Sequence, residues 1–164
     1  MKKAVALIPC RYDSSRFPGK PLALILGKSM IQRVYEGVKQ AKLVERVIIA
    51  ADDERIIRMG EAFGAETIMT SSSHRTGTER AAEVARNLEA PLIINVQGDE
   101  PLITGEMVDA LVRALQDERT QMVSLMAKVQ DVSLIADPNI VKVVADKQGT
   151  ALYFSRAPLP YRAS

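Results

Sequence analysis

The sequence of 164 residues is poor in cysteine and in aromatic residues. It has a single cysteine, Cys10, no tryptophan, four tyrosines and three phenylalanines. One cysteine excludes both a disulfide framework and a cysteine-based metal cluster. So few aromatic rings argue against a stacking platform for single-stranded nucleic acid. We therefore expect no nucleic-acid partner.

Long apolar runs are also absent, since none approaches the roughly 18 residues of a membrane span. The run at residues 4–8 follows two lysines but is shorter than the apolar part of a signal peptide, about 7–15 residues. Pro9 and Arg11 come directly after it. The sequence therefore predicts a cytoplasmic protein with no membrane partner. The length and the hydrophobic fraction of 47% fit one globular domain over residues 1–164.

Three short runs, at residues 4–8, 47–51 and 92–96, are almost wholly apolar and rich in Val or Ile. They do not alternate as half-exposed strands do, which is typical of parallel strands covered on both faces. Helical patterns separate them, and their predicted capping residues are Ser29, Asp52 or Asp53, Thr76 and Thr104. Further strands are predicted at residues 66–69, 122–129, 140–145 and 151–154. Alternating strands and helices predict an α/β fold with three α/β/α layers and a mostly parallel central sheet.

Ligands of such sheets bind beyond the carboxyl ends of the strands, which selects three segments. The first, residues 9–21, follows the first strand and includes Arg11, Arg16 and Lys20. These cations can converge on a triphosphate. The segment matches neither the P-loop nor the dinucleotide fingerprint. A solvated basic loop is the alternative, although residues 1–50 as a whole carry ten Lys or Arg against three Asp or Glu, which favours an anionic ligand.

The second segment, residues 95–101, follows the run at 92–96 and contains Asp99. A carboxylate at a strand end can bind Mg²⁺, which usually takes one or two carboxylates and completes its shell with substrate phosphates. Capping of the following helix is the alternative role for Asp99. The third segment, residues 71–80, leads into a helix whose free N–H groups can bind an anion or a base carbonyl. Arg80 can reach a phosphate from that helix, whereas the lone His74 is better explained as a surface residue than as a catalytic base.

Several motifs, taken in this order, resemble the 3-deoxy-manno-octulosonate (KDO) cytidylyltransferase family. They lie at residues 8–12, 16–22, 77–80, 95–101, 137–139, 141–144 and 151–156. The resemblance implies a Rossmann-like nucleotidyltransferase that joins CTP to KDO, releasing pyrophosphate and giving CMP-KDO for lipopolysaccharide biosynthesis. It also implies a homodimer for the full-length family.

The resemblance assigns roles to individual residues. It implies that Arg11 and Lys20 hold the CTP phosphates, and that Asp99 binds Mg²⁺. The other residues that it implies for substrate binding are Ser14, Arg16, Thr76, Gly77, Thr78, Arg80, Gln97 and Arg156. Of these, Arg80 would position the phosphates or the sugar acid, and Arg156 would lie near the sugar carboxylate.

The sequence departs from the family pattern in three places. Cys10 stands where alanine is usual, and Arg75 replaces a neutral residue. The family's chains also continue well past residue 156, with a second metal-binding aspartate, sugar-binding residues and much of the dimer surface, so we expect this chain to be C-terminally truncated. Two alternatives therefore stay open: a cytidylyltransferase of the sialic-acid type, and a nucleotide-binding fragment without catalysis.

Overall fold

The computed structural model describes residues 2–13 and 17–160. The chain forms two compact units, Met1–Val123 and Ser124–Ser164. The first unit contains the three segments that were predicted to bind a ligand. Each unit is compact in itself. That the two units together form a single domain over residues 1–164 stays a prediction.

In the first unit, strands and helices alternate after an early hairpin. The strands are β1 (Ala4–Cys10), β2 (Leu24–Ile25), β3 (Lys28–Ser29), β4 (Val44–Ala51), β5 (Glu66–Met69) and β6 (Leu92–Asn95). The helices are α1 (Met30–Lys39), α2 (Glu54–Ala62), α3 (Gly77–Ala85) and α4 (Gly105–Ala114). A short 3₁₀ helix spans Lys20–Leu22. None of the helices in the described ranges has the length and apolar character that crossing a bilayer requires.

Four strands form one parallel sheet in the order β5-β4-β1-β6. Strand β1 lies inside the sheet, and all seven of its residues are buried. Burial on both faces is what a continuous apolar run predicts, because no side of the strand meets water. The parallel direction brings the ends of β1, β4, β5 and β6 to the same edge, where the predicted ligand segments begin.

Two apolar clusters cover the two faces of this sheet. Ala4, Ala6 and Ile8 of β1 pack in one cluster with residues of α1, α2 and α4. Val5 and Leu7, which point the other way, pack in a second cluster with residues of α3. Alternate residues of a strand point to opposite faces, so β1 contributes to both layers. The predicted three-layer α/β/α architecture is confirmed.

Local sequence signals set the starts of the helices. The side chains of Ser29, Thr76 and Thr104 each accept a hydrogen bond from a backbone N–H of the first turn. These are the capping residues that the sequence predicts, and they satisfy N–H groups that have no partner within the helix. For α2 the sequence leaves two candidates, and Asp53 is the cap.

Two details of the prediction are wrong. Residues 122–129 form no strand, and within the described residues no strand pairs with this segment. Its apolar side chains are exposed, for example Met122 at 89%, so it lacks both the ladder and the buried face that stabilise a strand. In α4, the spacing of Met107, Leu111 and Leu115 predicts one apolar face. Met107 is instead 44% exposed, and Val108 and Val112 are the fully buried residues.

In the second unit, β7 (Lys142–Ala145) and β8 (Ala151–Ser155) form an antiparallel hairpin. Lys142 is 6% exposed, and its Nζ donates to the carbonyl oxygens of Asp137, Ile140 and Arg156 at 2.8, 2.7 and 2.6 Å. These three bonds compensate a buried ammonium group and fix the ends of the hairpin. A 3₁₀ helix at Val132–Ile135 precedes it.

Candidate functional site

A cavity of about 510 Å³ opens at the carboxyl ends of the strands in the first unit. All three predicted segments contribute to its wall. The lining residues are Pro9, Cys10, Arg11, Phe17, Lys20, Pro21, His74, Arg75, Thr76, Gly77, Arg80, Gln97, Gly98 and Asp99. Seven predicted site residues are therefore brought together: Arg11, Lys20, Thr76, Gly77, Arg80, Gln97 and Asp99.

The loop after β1 closes on itself and presents Lys20 to this cavity. The N–H of Gly19 donates to the carbonyl of Tyr12 at 2.8 Å. Gly19 has a φ of 70°, and a Cβ at this position would lie 3.2 Å from the Tyr12 ring. Both facts favour glycine, which tolerates positive φ and close approach. The 3₁₀ helix then starts at Lys20, with Pro21 providing a preset φ.

Lys20 and Asp99 meet across the cavity although they are 79 residues apart. The distance between Lys20 Nζ and Asp99 Oδ2 is 2.6 Å. Their side chains are 36% and 49% exposed, so the pair is solvated and contributes little to folding stability. A solvated pair can exchange its partners for a ligand at low cost. The sequence interpretation, in which these two residues share one ligand, requires this proximity.

A close backbone contact brings Asp99 to the cavity. A Cβ added to Gly98 would collide with the Cys10 Sγ and would lie 3.1 Å from the Pro9 carbonyl oxygen. Glycine therefore allows the segment after β6 to pass directly over the end of β1. Burial raises the pKa of the Cys10 thiol, despite the opposing effect of Arg80. A neutral buried thiol is a poor nucleophile, so Cys10 is a core residue rather than a reactive one.

The N-terminus of α3 forms another wall of the cavity. Thr76 and Glu79 form a capping box, and Glu79 accepts the backbone N–H groups of Arg75 and Thr76 at 2.7 and 3.1 Å. These two bonds hold the pKa of Glu79 below its usual value. Thr78 is exposed and is not among the lining residues. The contact with the nucleotide that the resemblance implies for the backbone around residues 76–78 stays a prediction.

Arg80 lines the cavity, and its guanidinium forms three hydrogen bonds to residues outside the lining. Its Nη1 donates to Thr70 Oγ1 at 2.5 Å and to the Ser71 carbonyl at 3.1 Å, and its Nη2 donates to Asp52 Oδ2 at 2.7 Å. Its side chain is 3% exposed. Asp52 was missed as a functional residue by the sequence reasoning, which considered it only as a helix cap. Its partner is 28 positions away, and no local spacing indicates the pair.

His74 bonds to Glu83 through its Nε2. This bond and the N–H of Ser71 lower the pKa of Glu83. His74 also lines a smaller cavity of about 190 Å³ beside the first. The other residues of this smaller cavity are Arg11, Tyr12, Asp13, Asp52, Asp53 and Ser72. An engaged ring agrees with a role for His74 in fixing the loop rather than in catalysis.

Besides Thr78, three predicted site residues are not among the described residues that line the cavity. Ser14 and Arg16 lie outside the described residues. Arg156 belongs to the second unit, where it is exposed and its Nη1 donates to the Pro138 carbonyl at 2.8 Å. Its proposed contact with a sugar carboxylate stays a prediction.

The donor set fits Mg²⁺ only in company with a substrate. Among residues 2–13 and 17–160, no group of three or more His, Cys, Asp or Glu side chains could hold a metal ion. Asp99 offers a half-exposed carboxylate at the cavity. A single carboxylate suits an ion that takes its other ligands from phosphate and water, which is how Mg²⁺ is commonly held.

Comparisons with known proteins find similar sequences and structures. The family model described as Cytidylyltransferase matches residues 5–164. The chain is 54% identical over 157 residues to 3-deoxy-manno-octulosonate cytidylyltransferase of Syntrophotalea carbinolica, and 51% identical over 159 residues to the protein of the same name from Geobacter metallireducens. These matches cover 95% and 96% of this chain and 63% of each relative, so the chain spans less than two thirds of their length.

Solved structures show the same similarity. CMP:2-keto-3-deoxy-manno-octonic acid synthetase complexed with CTP is 43% identical, with a TM-score of 0.87 over 97% of this chain and 66% of that one. A cytidylyltransferase from Leptospira borgpetersenii, at 24% identity and a TM-score of 0.62, shares the fold over 72% of this chain and 51% of its own. The resemblance indicated by the motifs is confirmed, together with the nucleotidyltransferase fold.

Proposed function

Because the chain belongs to the cytidylyltransferase family, we propose that it transfers the cytidylyl group of CTP to KDO. The products are CMP-KDO, which serves lipopolysaccharide biosynthesis, and pyrophosphate. The observation that carries the proposal is the meeting of Lys20 and Asp99 at 2.6 Å in a cavity that Arg11 also lines. A phosphate-binding cation and a carboxylate able to hold Mg²⁺ thus face the same space.

The charges of the cavity suit a triphosphate. Arg11, Lys20, Arg75 and Arg80 line it, and Asp99 is the acidic residue among the described lining residues. Lys20 and Arg11 bind phosphate oxygens, and the N-terminus of α3 adds backbone donors. Cations placed in this way stabilise the charge that builds up on pyrophosphate as it leaves.

Asp99 is the proposed ligand of Mg²⁺. When bound, the ion supplies Lewis-acid polarisation of the phosphates and orients them. In the proposed complex Lys20 exchanges Asp99 for a phosphate oxygen, and Asp99 would hold Mg²⁺. Each member of the pair therefore keeps a partner of opposite charge. The anomeric hydroxyl of KDO attacks the α-phosphorus in line and loses its proton to solvent, while the bond from this phosphorus to the bridging oxygen breaks and its electrons leave with pyrophosphate. No covalent intermediate with the protein is required, and positioning and charge neutralisation lower the barrier.

The test is incubation of the chain with CTP, KDO and Mg²⁺, with release of pyrophosphate as the readout. Release that requires all three components supports the proposal. Release with a sialic acid but none with KDO would replace KDO by the alternative acid sugar. A reaction without KDO present is the control for simple hydrolysis of CTP.

A second candidate is a nucleotide-binding unit without catalysis, which is favoured by a cavity that residues of the first unit line. Calorimetry distinguishes the two. CTP binding without pyrophosphate release supports the second candidate, and absence of CTP binding contradicts both.

A homodimer and a cytoplasmic location, both carried over from the sequence interpretation, complete the proposal. Sedimentation velocity tests the dimer.

A further inference from the structure

Asp52 connects two walls of the cavity without lining it. The residue follows β4 directly, and its two carboxylate oxygens have different partners. Oδ1 accepts the backbone N–H of Tyr12 at 3.0 Å, and Oδ2 accepts Arg80 Nη2 at 2.7 Å. One side chain thus links the loop after β1 to helix α3.

Of the linked side chains, Arg80 is buried and Asp52 is largely buried, and both are hydrogen-bonded. The side chains of Arg80 and Asp52 are 3% and 13% exposed. Thr70 Oγ1 accepts from Arg80 and donates to the carbonyl of Ala51 at 2.9 Å. The ends of β1, β4 and β5 and the first turn of α3 are therefore joined by one network. A buried charge keeps its place in such a network because its partners are fixed.

The bond to Tyr12 acts on Arg11 through the chain itself. The N–H of Tyr12 belongs to the rigid peptide plane that also contains the carbonyl of Arg11. Fixing that plane fixes the position of the Arg11 Cα, from which the Arg11 side chain leaves the backbone. Arg11 lines both cavities. Asp52 lines the smaller cavity and is absent from the described lining of the larger one.

From this geometry we propose that Asp52 is a positioning residue for phosphate binding, which acts by holding Arg11 in place. The proposal rests on the proposed function, since it takes CTP as the ligand. Asp52 itself does not contact the nucleotide. Arg80 keeps its bonds to Thr70 and Ser71 when Asp52 is replaced. The contribution of Asp52 to CTP affinity therefore passes mainly through Arg11 and should largely disappear when Arg11 is removed.

A double-mutant cycle with Asp52→Asn and Arg11→Gln tests this inference, with the dissociation constant of CTP measured by calorimetry. We expect Asp52→Asn to weaken CTP binding by about tenfold, because neither orientation of the amide can serve both partners. In the Arg11→Gln background, Asp52→Asn should change the constant by less than about twofold. Equal effects in both backgrounds, or none in the first, would overturn the proposal.

Asp109→Asn is the matched control for structural damage. Asp109 is also a buried aspartate, at 6% exposure, and its carboxylate accepts the N–H groups of Lys42 and Leu43 at 3.1 and 2.9 Å. These residues precede β4, whereas Asp52 follows it. Asp109→Asn should lower the melting temperature and leave CTP affinity unchanged. If it weakens CTP binding as much as Asp52→Asn does, the effect is general destabilisation and the proposal is wrong.

Amide exchange gives a readout that does not depend on CTP. In the free protein, exchange of the Tyr12 N–H should be faster in Asp52→Asn than in Asp109→Asn, and equal exchange contradicts the anchoring role. If Asp52→Asn does not fold, the cause is the buried Arg80 guanidinium that has lost its carboxylate. Arg80→Met removes that guanidinium, and the double-mutant cycle is then run in the Arg80→Met background.

Failure of the unaltered chain to bind CTP overturns the proposed function, while the exchange experiment still decides whether Asp52 anchors the loop.

Discussion

Lys20 is the residue on which phosphate binding most directly depends. Its ammonium group lies at the cavity and already has an anionic partner at 2.6 Å. We expect Lys20→Ala to weaken CTP binding by about 1.5–3 kcal/mol, the range for a charge-assisted hydrogen bond. This corresponds to a dissociation constant roughly ten- to 150-fold higher, measured by calorimetry. The exposed Lys3→Ala is the control, and an unchanged constant for Lys20→Ala would remove Lys20 from the site.

Asp99 is expected to carry the dependence on Mg²⁺. In Asp99→Ala, addition of Mg²⁺ should no longer strengthen CTP binding, and release of pyrophosphate should be lost, because the proposed carboxylate ligand is gone. Titrations of CTP with and without Mg²⁺ measure the first effect. The neighbouring exposed acid provides the control, Glu100→Ala, which should keep the Mg²⁺ effect. If Asp99→Ala keeps it as well, the ion is bound elsewhere.

At the residue scale the sequence predicts which side chains share the cavity, but not what holds them. Lys20 and Asp99 were placed together because both follow parallel strands, and that rule needs only the order of strands and helices. The partnership of Asp52 with Arg80 depends on the distance between β4 and α3 in the folded chain. Such a contact leaves no periodic signal in the sequence.

At the scale of elements, signals that act within a few residues were predicted correctly. The caps Ser29, Thr76 and Thr104 each bond to an N–H group three positions away, so the local sequence decides them. The segment at 122–129 has strand-forming composition, but in the part of the chain that the structure describes no strand pairs with it. Strand formation depends on a distant partner, which propensity alone does not show.

The capping box of α3 makes the stability of this element depend on pH. The pKa of Glu79 is lowered in the folded chain, first by the N–H of Arg75 and then by that of Thr76. Its contribution to stability is therefore complete above the unfolded pKa of about 4.3 and is lost as the pH falls through the lower folded pKa. In Glu79→Gln the amide oxygen still accepts but does not titrate. Thermal melts from about pH 6 to about pH 3 should show a smaller loss of stability for Glu79→Gln than for the unaltered chain, and parallel curves would contradict this account.

At the scale of the whole molecule, folding places one part of the excess of basic residues in positions 1–50 in ion pairs outside the cavity and another part along its lining. Part of it is paired with acids: Lys28 with Glu36 at 2.7 Å, and Arg46 with Glu66 at 2.6 Å. Summed charge along the sequence cannot separate these pairs from the cations that line the cavity. Of the described basic residues in positions 1–50, Arg11 and Lys20 are the ones that line the cavity.

This local concentration of positive charge predicts that CTP binding depends on salt. Raising the ionic strength from about 0.05 M to about 0.5 M shortens the Debye length to a few ångströms and screens the half-exposed cations from the triphosphate. The dissociation constant of CTP, measured by calorimetry, should therefore rise several-fold over this range. Cytidine is the matched control, because it has the same base and ribose without phosphates. If cytidine binding weakens in parallel, salt acts on the protein as a whole, and the contribution of the cavity cations to phosphate binding is refuted.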